Sequence, residues 1–339
     1  MKNILVTGGA GYIGSHTLVA LIEEGYRPIV FDNFSNSSAV AIKRVEEITG
    51  VEVEVIKGDI TRDEDLDLLF NAFEFSGVIH FAGLKAVGES EREPLKYWVN
   101  NVDGSIKLFA AMKRFDVKNI IFSSSATVYG DRNPFPYKEG MPLGAVPVYG
   151  KTKEVIEYAL MNLKADGFNS LALRYFNPVG SHKSGKIGEN PQGIPNNLAP
   201  FITQTLVGKR EKLTVFGNDY NTPDGTNIRD YIHVLDLARA HVVALNYLLE
   251  NEIGFDAINI GSAKGYSNLE VIEAFEKAAG TKVNWEFGPR RAGDLDEYFA
   301  DATKAKEVLG FEVEYDIEEM AADAWKWQRL NPNGFEEVE

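Results

Sequence analysis

Tyr149 and Lys153, in the stretch Tyr149-Gly150-Lys151-Thr152-Lys153, stand four residues apart at the start of a helical segment. That spacing puts both side chains on one helix face, about one turn apart. A free tyrosine titrates near pH 10 and is a poor base at neutrality. A neighbouring ammonium, joined by a second cation in the same cleft, favours the phenolate and pulls that value down. Bringing the phenol into the neutral range takes roughly 4 kcal/mol of differential stabilisation, within reach of two such charges. The product is a general base or acid suited to taking the proton from an alcohol whose carbon is being oxidised. Ser125, at the end of a predicted strand twenty-four residues earlier, can hydrogen-bond the same alcohol oxygen and steer that proton. Tyr-x-x-x-Lys alone is common; the elements around it give it weight.

The chain opens with an apolar, β-branched strand at residues 2–7 and runs into Gly8-Gly9-Ala10-Gly11-Tyr12-Ile13-Gly14, then an apolar-periodic helix to about residue 24. Gly8, Gly11 and Gly14 supply a tight turn, close backbone approach to a pyrophosphate and close helix-on-strand packing. With Tyr12 and Ile13 they read as a dinucleotide loop. The next strand, residues 28–31, ends at Asp32-Asn33, eighteen residues past Gly14. An acid there suits an adenosine ribose diol and repels a 2′-phosphate, favouring NAD over NADP. An oxidised nicotinamide would be the second cation beside Tyr149. Lys153 has a further task open to it, since its donors can reach the nicotinamide ribose hydroxyls.

Strands are expected at residues 51–56, 77–81, 119–125 and 170–175, and helices at 63–75, 95–114 and 149–166. Repeated βα units with apolar strands predict an α/β fold: a doubly wound parallel sheet of Rossmann type with helices on both faces. Loops at the strand C-termini then converge. The glycine loop, Asp32, Asp59-Ile60, Phe81-Ala82-Gly83 with Lys85, and Ser123 to Ser125 all fall at such ends and outline a crevice. We expect a cofactor domain over residues 1–176 and a smaller α/β substrate domain over 177–339, some elements of which return to the first. Residues 177–197 read as a long ordered loop and residues 331–339 as a frayed end.

The 339 residues carry 35 basic and 50 acidic side chains, a net charge of −15, which disfavours nucleic acid or an anionic membrane as partner. An anionic substrate therefore needs a local basic cluster. Arg229, Arg291 and the helix start at Asn196-Asn197-Leu198 are the candidates. There are no cysteines, so disulfides and thiolate chemistry are excluded. No apolar run approaches a membrane span and no signal peptide is evident, so a cytoplasmic enzyme is expected. His16, His80, His182, His233 and His241 are scattered without metal-ligand spacing, and no metal is expected. His80, ending an apolar strand, reads as a structural histidine.

Longer runs are more specific. Val6-Thr7-Gly8-Gly9-Ala10-Gly11-Tyr12-Ile13-Gly14-Ser15-His16, His80-Phe81-Ala82-Gly83-Leu84-Lys85-Ala86-Val87-Gly88-Glu89-Ser90, Ser123-Ser124-Ser125-Ala126-Thr127-Val128-Tyr129-Gly130, Arg174-Tyr175-Phe176-Asn177-Pro178-Val179-Gly180 and Gln192-Gly193-Ile194-Pro195-Asn196-Asn197-Leu198 together cover the chain's key loops. With these the sequence resembles the extended short-chain dehydrogenases/reductases and, within them, the UDP-glucose 4-epimerases. The resemblance implies a tightly held NAD that is not consumed. Tyr149 would take the 4-hydroxyl proton while C4 gives up hydride, and the 4-keto sugar would turn over and be reduced on its other face.

By the same resemblance, Asn177, Asn197, Leu198, Thr214, Phe216, Arg229, Arg291 and Asp294 match UDP-binding positions. Lys85, Asn100 and Ser125 match residues near nicotinamide or sugar, and Phe176 lies in the same lining. Tyr298 matches a position where bulk narrows the sugar pocket, which implies poor handling of UDP-N-acetylhexosamines. The family pairs through two helices per subunit, here residues 95–114 and 149–166, which implies a homodimer. Thr152 departs from the usual Ser, and Ala263-Lys264 from a more glycine-rich turn. A 4,6-dehydratase of the same fold would need an Asp-Glu pair after residue 125, where Ala126 and Thr127 stand. A silent NAD-binding regulator would have lost the Tyr or the Lys.

Overall fold

The computed structural model describes residues 1–193, 195, 197–291 and 294–335. Its strands, in chain order, are β1 (Asn3–Thr7), β2 (Arg27–Asp32), β3 (Glu54–Lys57), β4 (Gly77–His80), β5 (Asn119–Ser125), β6 (Asn169–Tyr175), β7 (Asn177–Val179), β8 (Leu213–Phe216), β9 (Ile228–His233), β10 (Phe255–Ile260), β11 (Gly265–Ser267), β12 (Trp285–Gly288) and β13 (Glu297–Tyr298). Seven of them form one sheet in the order β10-β6-β5-β4-β1-β2-β3, with every neighbouring pair parallel. The outermost strand on one side, β10, comes from beyond residue 176.

Strand periodicity divides the core between the two faces of this sheet. Ile4 and Val6 of β1 point to the side of helices Tyr12–Glu23 and Val234–Glu250, among Leu18, Leu237 and Leu245. Leu5 between them points the other way, to Leu108, Ile156 and Leu160 of helices Gly104–Arg114 and Val148–Leu163. Strands covered on both faces are apolar along their middles, as Ile4 to Val6 of β1 and Ile120 to Phe122 of β5 are, with polar residues at their ends. Residues further along build a separate apolar core around Ile202, Val215, Tyr231, Phe275 and Met320. There β9 pairs with β7, β11 and β13, while β8 pairs with β12.

Several expected elements differ. The loop expected over 177–197 opens with strand β7, and the helix expected to reach residue 166 ends at Leu163, with a 3-10 turn over Lys164–Asp166. At the end expected to fray, Asn331 accepts from Arg44 at 2.6 Å and donates to Gly185 O at 2.9 Å, and residues 336–339 lie outside the described residues. Three more differ in their bounds. The third strand begins at Glu54 rather than residue 51, because the Val53 amide is taken by the Glu46 carboxylate at 2.9 Å. The helix expected to reach residue 75 ends at Ala72, where the chain turns extended and Phe70, Phe73 and Phe75 pack on one another. The long helix expected over 95–114 is three segments, Pro94–Tyr97, a π turn over Trp98–Asp103, and Gly104–Arg114. Such a turn inserts a residue and rotates the side chains after it, an arrangement frequent at functional sites.

In this sheet β1 lies between β4 and β2, so the strand order reverses there. The crevice outside the carboxyl ends of β1 and β4 is where doubly wound sheets bind ligands.

Candidate active site

The loop leaving β1 is as tight as a chain can make it. Gly8 has φ +70°, and a Cβ on it would lie 2.7 Å from the Ala82 amide nitrogen; one on Gly14 would lie 2.5 Å from the Gly8 carbonyl oxygen. Gly11 begins helix Tyr12–Glu23 with no side chain capping it, which leaves first-turn N–H groups for an anion. Ile13 packs against the core, and Tyr12 donates to the Gly180 carbonyl at 2.6 Å. Buried Asp32 accepts from Ala10 N at 3.0 Å on one oxygen and from Phe34 N and Ser37 Oγ, both at 2.9 Å, on the other. It therefore holds the glycine loop to the end of β2. Asn33 donates to Asp59 at 2.9 Å, and Ile60 packs under Gly104. A glycine cradle that a Cβ would fill, an uncapped helix and a carboxylate beside them fit a dinucleotide.

Opposite this loop, Phe81 and Ala82 both donate their amides to Thr7 O, at 3.0 and 3.1 Å. Gly83 and Leu84 lie against Asn101, which accepts from Leu84 N at 2.8 Å and donates to Leu84 O at 2.9 Å. Asn101 also donates to the Thr152 hydroxyl at 3.2 Å and accepts from Asn100 at 3.0 Å. The π turn thus ties this loop to the helix carrying Tyr149. Sequence reading named Asn100 and missed Asn101; its one signal was a pair of asparagines in an otherwise amphipathic helix. His80 is paired on both nitrogens, to Thr7 Oγ1 at 2.6 Å and Ser105 Oγ at 2.9 Å, and burial lowers it to about 3. It is a neutral structural histidine, as expected.

At the end of β5, Ser125 accepts from Thr127 N at 3.3 Å and Thr127 Oγ1 at 2.9 Å, and sits beside the Tyr149 phenol. The expected pull on Tyr149 is reversed in the protein by itself. Burial, only partly eased by Ser125, pushes the phenol up to about 12. Lys153 does not meet the phenol oxygen: its Nζ donates to the Ser123 carbonyl at 2.6 Å and lies 5.8 Å from the Tyr149 ring centre. Burial lowers Lys153 to about 8, opposed by the Glu157 carboxylate one helical turn on. Desolvation therefore outweighs a cation at this distance. Ser123 shares a hydroxyl contact with Tyr175.

The other bank comes from the second core. Asn177 donates to Asp230 O at 3.0 Å beside β9. Arg229 reaches Ile228 O and Leu295 O, at 2.8 and 3.0 Å, with Asp294 3.7 Å from its other arm. Arg291 stacks 3.9 Å over Phe216 at the end of β8, two residues from Thr214. Tyr298 is fixed by register opposite Arg229, with Phe176 and Tyr137 rings 5.1 and 5.4 Å away. Asn197 stands at the start of helix Leu198–Leu206 without a side-chain capping bond and donates to Glu189 at 3.2 Å; Lys85, from the first bank, donates to the same oxygen at 3.2 Å. Glu189, unmarked by any local motif, is thus a bridge between the banks. Asn196, also named from sequence, lies outside the described residues, as do Ala292 and Gly293 beside Arg291.

Two banks of such residues across a sheet crevice admit more than one chemistry, and comparison with known proteins narrows it. The Bacillus subtilis UDP-glucose 4-epimerase is 54% identical over 338 residues, spanning 99% of both chains. The chain belongs to the UDP-glucose 4-epimerase family. The human UDP-glucose 4-epimerase is 49% identical over 98% of each chain. The crystal structure of the Bifidobacterium longum UDP-glucose 4-epimerase, in complex with NAD+ and UDP, is 46% identical, matches with a TM-score of 0.95 and covers 98% of this chain and 100% of that one. A broader family model, described as GDP-mannose 4,6 dehydratase, matches residues 5–324.

Proposed function

We infer that the protein interconverts UDP-galactose and UDP-glucose by oxidising the sugar at C4, turning the 4-keto sugar over and reducing it on the opposite face; it is an isomerase. The observation that carries this reading is the meeting of Tyr149, Ser125 and Lys153 at the end of β5, facing a wall that contains Tyr298. NAD would supply the hydride acceptor and donor when bound along the glycine loop. The residues that would hold it are Gly8 to Gly14, Asp32 and Asn33, Asp59 and Ile60, Phe81 to Gly83, Lys85, Asn100, Ser123 and Phe176.

Tyr149 is the proton acceptor and donor at the sugar 4-oxygen, and Ser125 places that oxygen. Lys153, held by Ser123 O, presents a positive charge one helical turn from the phenol. Its field and that of an oxidised nicotinamide both oppose the desolvation that raises Tyr149, so the phenol becomes a usable base only in the complete site. Return of hydride from one fixed face demands that the sugar rotate while its nucleotide stays put. Arg229 and Arg291 match that need: rigid forks held on carbonyls and an aromatic ring, with Asn177, Asn197, Leu198, Thr214, Phe216 and Asp294 around them.

A homodimer fits the surface. Leu95, Val99 and Ile106 on one helical run, and Val155, Tyr158 and Met161 on helix Val148–Leu163, are exposed apolar side chains on adjacent elements. Among the described residues no helix is long and apolar enough to cross a membrane, and a chain without cysteines suits the cytoplasm.

The test is incubation of purified protein with UDP-galactose and no added NAD, following UDP-glucose. Product establishes epimerisation and a retained, regenerated cofactor. No product with NAD supplied removes the reading, and a 4-keto-6-deoxy sugar would indicate dehydration instead.

A further inference from the structure

Behind the catalytic helix lies a charge pair that the proton transfer does not use directly. Glu157 follows Lys153 by one turn and Tyr149 by two on helix Val148–Leu163. Arg174 is on β6, register-paired with Ser124 of β5. Their side chains are only 2% and 5% exposed. Arg174 grips Glu157 with two arms, Nη2 to Oε2 at 2.6 Å and Nε to Oε1 at 3.0 Å, the bidentate geometry of a strong pair. Ser124 donates its hydroxyl to the same carboxylate. The remaining arm of Arg174 donates to Tyr129 OH at 3.1 Å and Glu139 O at 3.3 Å, and Tyr129 in turn donates to Asn259 at 2.6 Å.

We propose that Glu157 and Arg174 are positioning residues for epimerisation: their pair clamps the strand end bearing Ser125 against the helix bearing Tyr149 and Lys153, and sets a carboxylate one helical turn from Lys153. The proposal rests on the function inferred above. Ser124 and Ser125 are adjacent on β5, and the clamp on Ser124 joins the Lys153 bond to Ser123 O in tying this strand end to the helix. The groups facing Lys153 agree with the second part. Tyr149 and Glu157 face it from its own helix, Ser123 O and the Phe122 ring (4.8 Å) from β5, and neutral His80 from β4. Glu157 is the carboxylate in this set that favours the ammonium, against burial that disfavours it. A buried pair of this kind is weak evidence for stability, since apolar replacements are often as stable; a role in specifying geometry is the reason to look for one in the kinetics.

The experiment compares wild type, Glu157→Gln and the charge-balanced Glu157→Gln/Arg174→Met on UDP-galactose, with melting temperature, retained NAD, kcat, KM and pH profile. Glu157→Gln should lower kcat by about 10- to 100-fold, the order for a misplaced reacting group, with KM and retained NAD near wild type. The alkaline fall of kcat should move to lower pH. The balanced variant should recover melting temperature without recovering kcat or the wild-type pH profile, an outcome that a merely structural pair would not give. A folded balanced variant with wild-type kcat and pH profile overturns the proposal. Inactive wild type would instead remove the parent reading, so the two failures are distinguishable.

Discussion

The Lys153 ammonium donates to the Ser123 carbonyl at 2.6 Å, and that bond, rather than one to Tyr149, fixes where the positive charge sits. The lysine is 5% exposed and anchored to the strand whose end carries Ser125. It acts on the phenol through space, and its protonation becomes a condition for activity. Burial lowers Lys153 to about 8, against about 10.4 for a free lysine. Folded protein loses this proton as pH rises through about 8, so kcat should fall there, and the positive charge of an oxidised nicotinamide would move that limb down rather than up. Between roughly pH 8 and 10 the unfolded chain binds the proton that the folded one has released, so this group makes stability rise with pH in that window. A pH–rate profile and urea unfolding at pH 8 and 9.5 check both; a rate flat to pH 10 contradicts the assignment.

Tyr149→Phe keeps the ring and removes the proton carrier. We expect kcat to fall by about 100- to 10,000-fold, with an unchanged melting temperature and NAD still bound. Retained activity near wild type would transfer the acid–base role to another group.

Gly14→Ala should abolish cofactor retention, because a Cβ there lies 2.5 Å from the Gly8 carbonyl oxygen and backbone must move. Overpacking of this kind costs about 1–3 kcal/mol. Absorbance of the purified variant and its thermal melt measure the two effects, and a variant that copurifies with NAD at wild-type level would show that the loop adapts.

Tyr298→Ser removes a ring packed against Phe176 and Tyr137. Turnover of UDP-N-acetylgalactosamine should rise by about tenfold or more, while UDP-galactose turnover drops as the pocket loosens. Equal turnover of both sugars by the wild type would already show that Tyr298 does not set this preference.

Tyr158→Glu places a charge on the apolar face formed with Leu95 and Val99, where Tyr158 is 65% exposed. Charges are depleted at interface cores, so sedimentation should shift from dimer to monomer. A wild type that already sediments as a monomer would remove the dimer proposal.

The turn at Ala263 shows how a departure in sequence is absorbed. Ala263 has φ +56°, a region where a Cβ costs about 1–2 kcal/mol. Asp230 holds it there, accepting from Ser262 N at 2.8 Å and Ala263 N at 3.2 Å.

What local spacing can encode was present in the sequence by itself. Glycines three residues apart after a strand, an acid at the next strand's end, and Tyr149 four residues before Lys153 each describe one element and its neighbour, so fold class and crevice followed from them. What depended on approach between distant segments did not. Lys85 and Glu189 are 104 residues apart and meet only when the two banks close on each other. Arg174 reaches Glu157 because β6 pairs beside β5 under that helix. The direction of Tyr149's shift also had to wait for the fold. Periodicity identifies the cation on the same helix face, but desolvation depends on everything packed around the phenol, and in the folded protein desolvation is the larger effect.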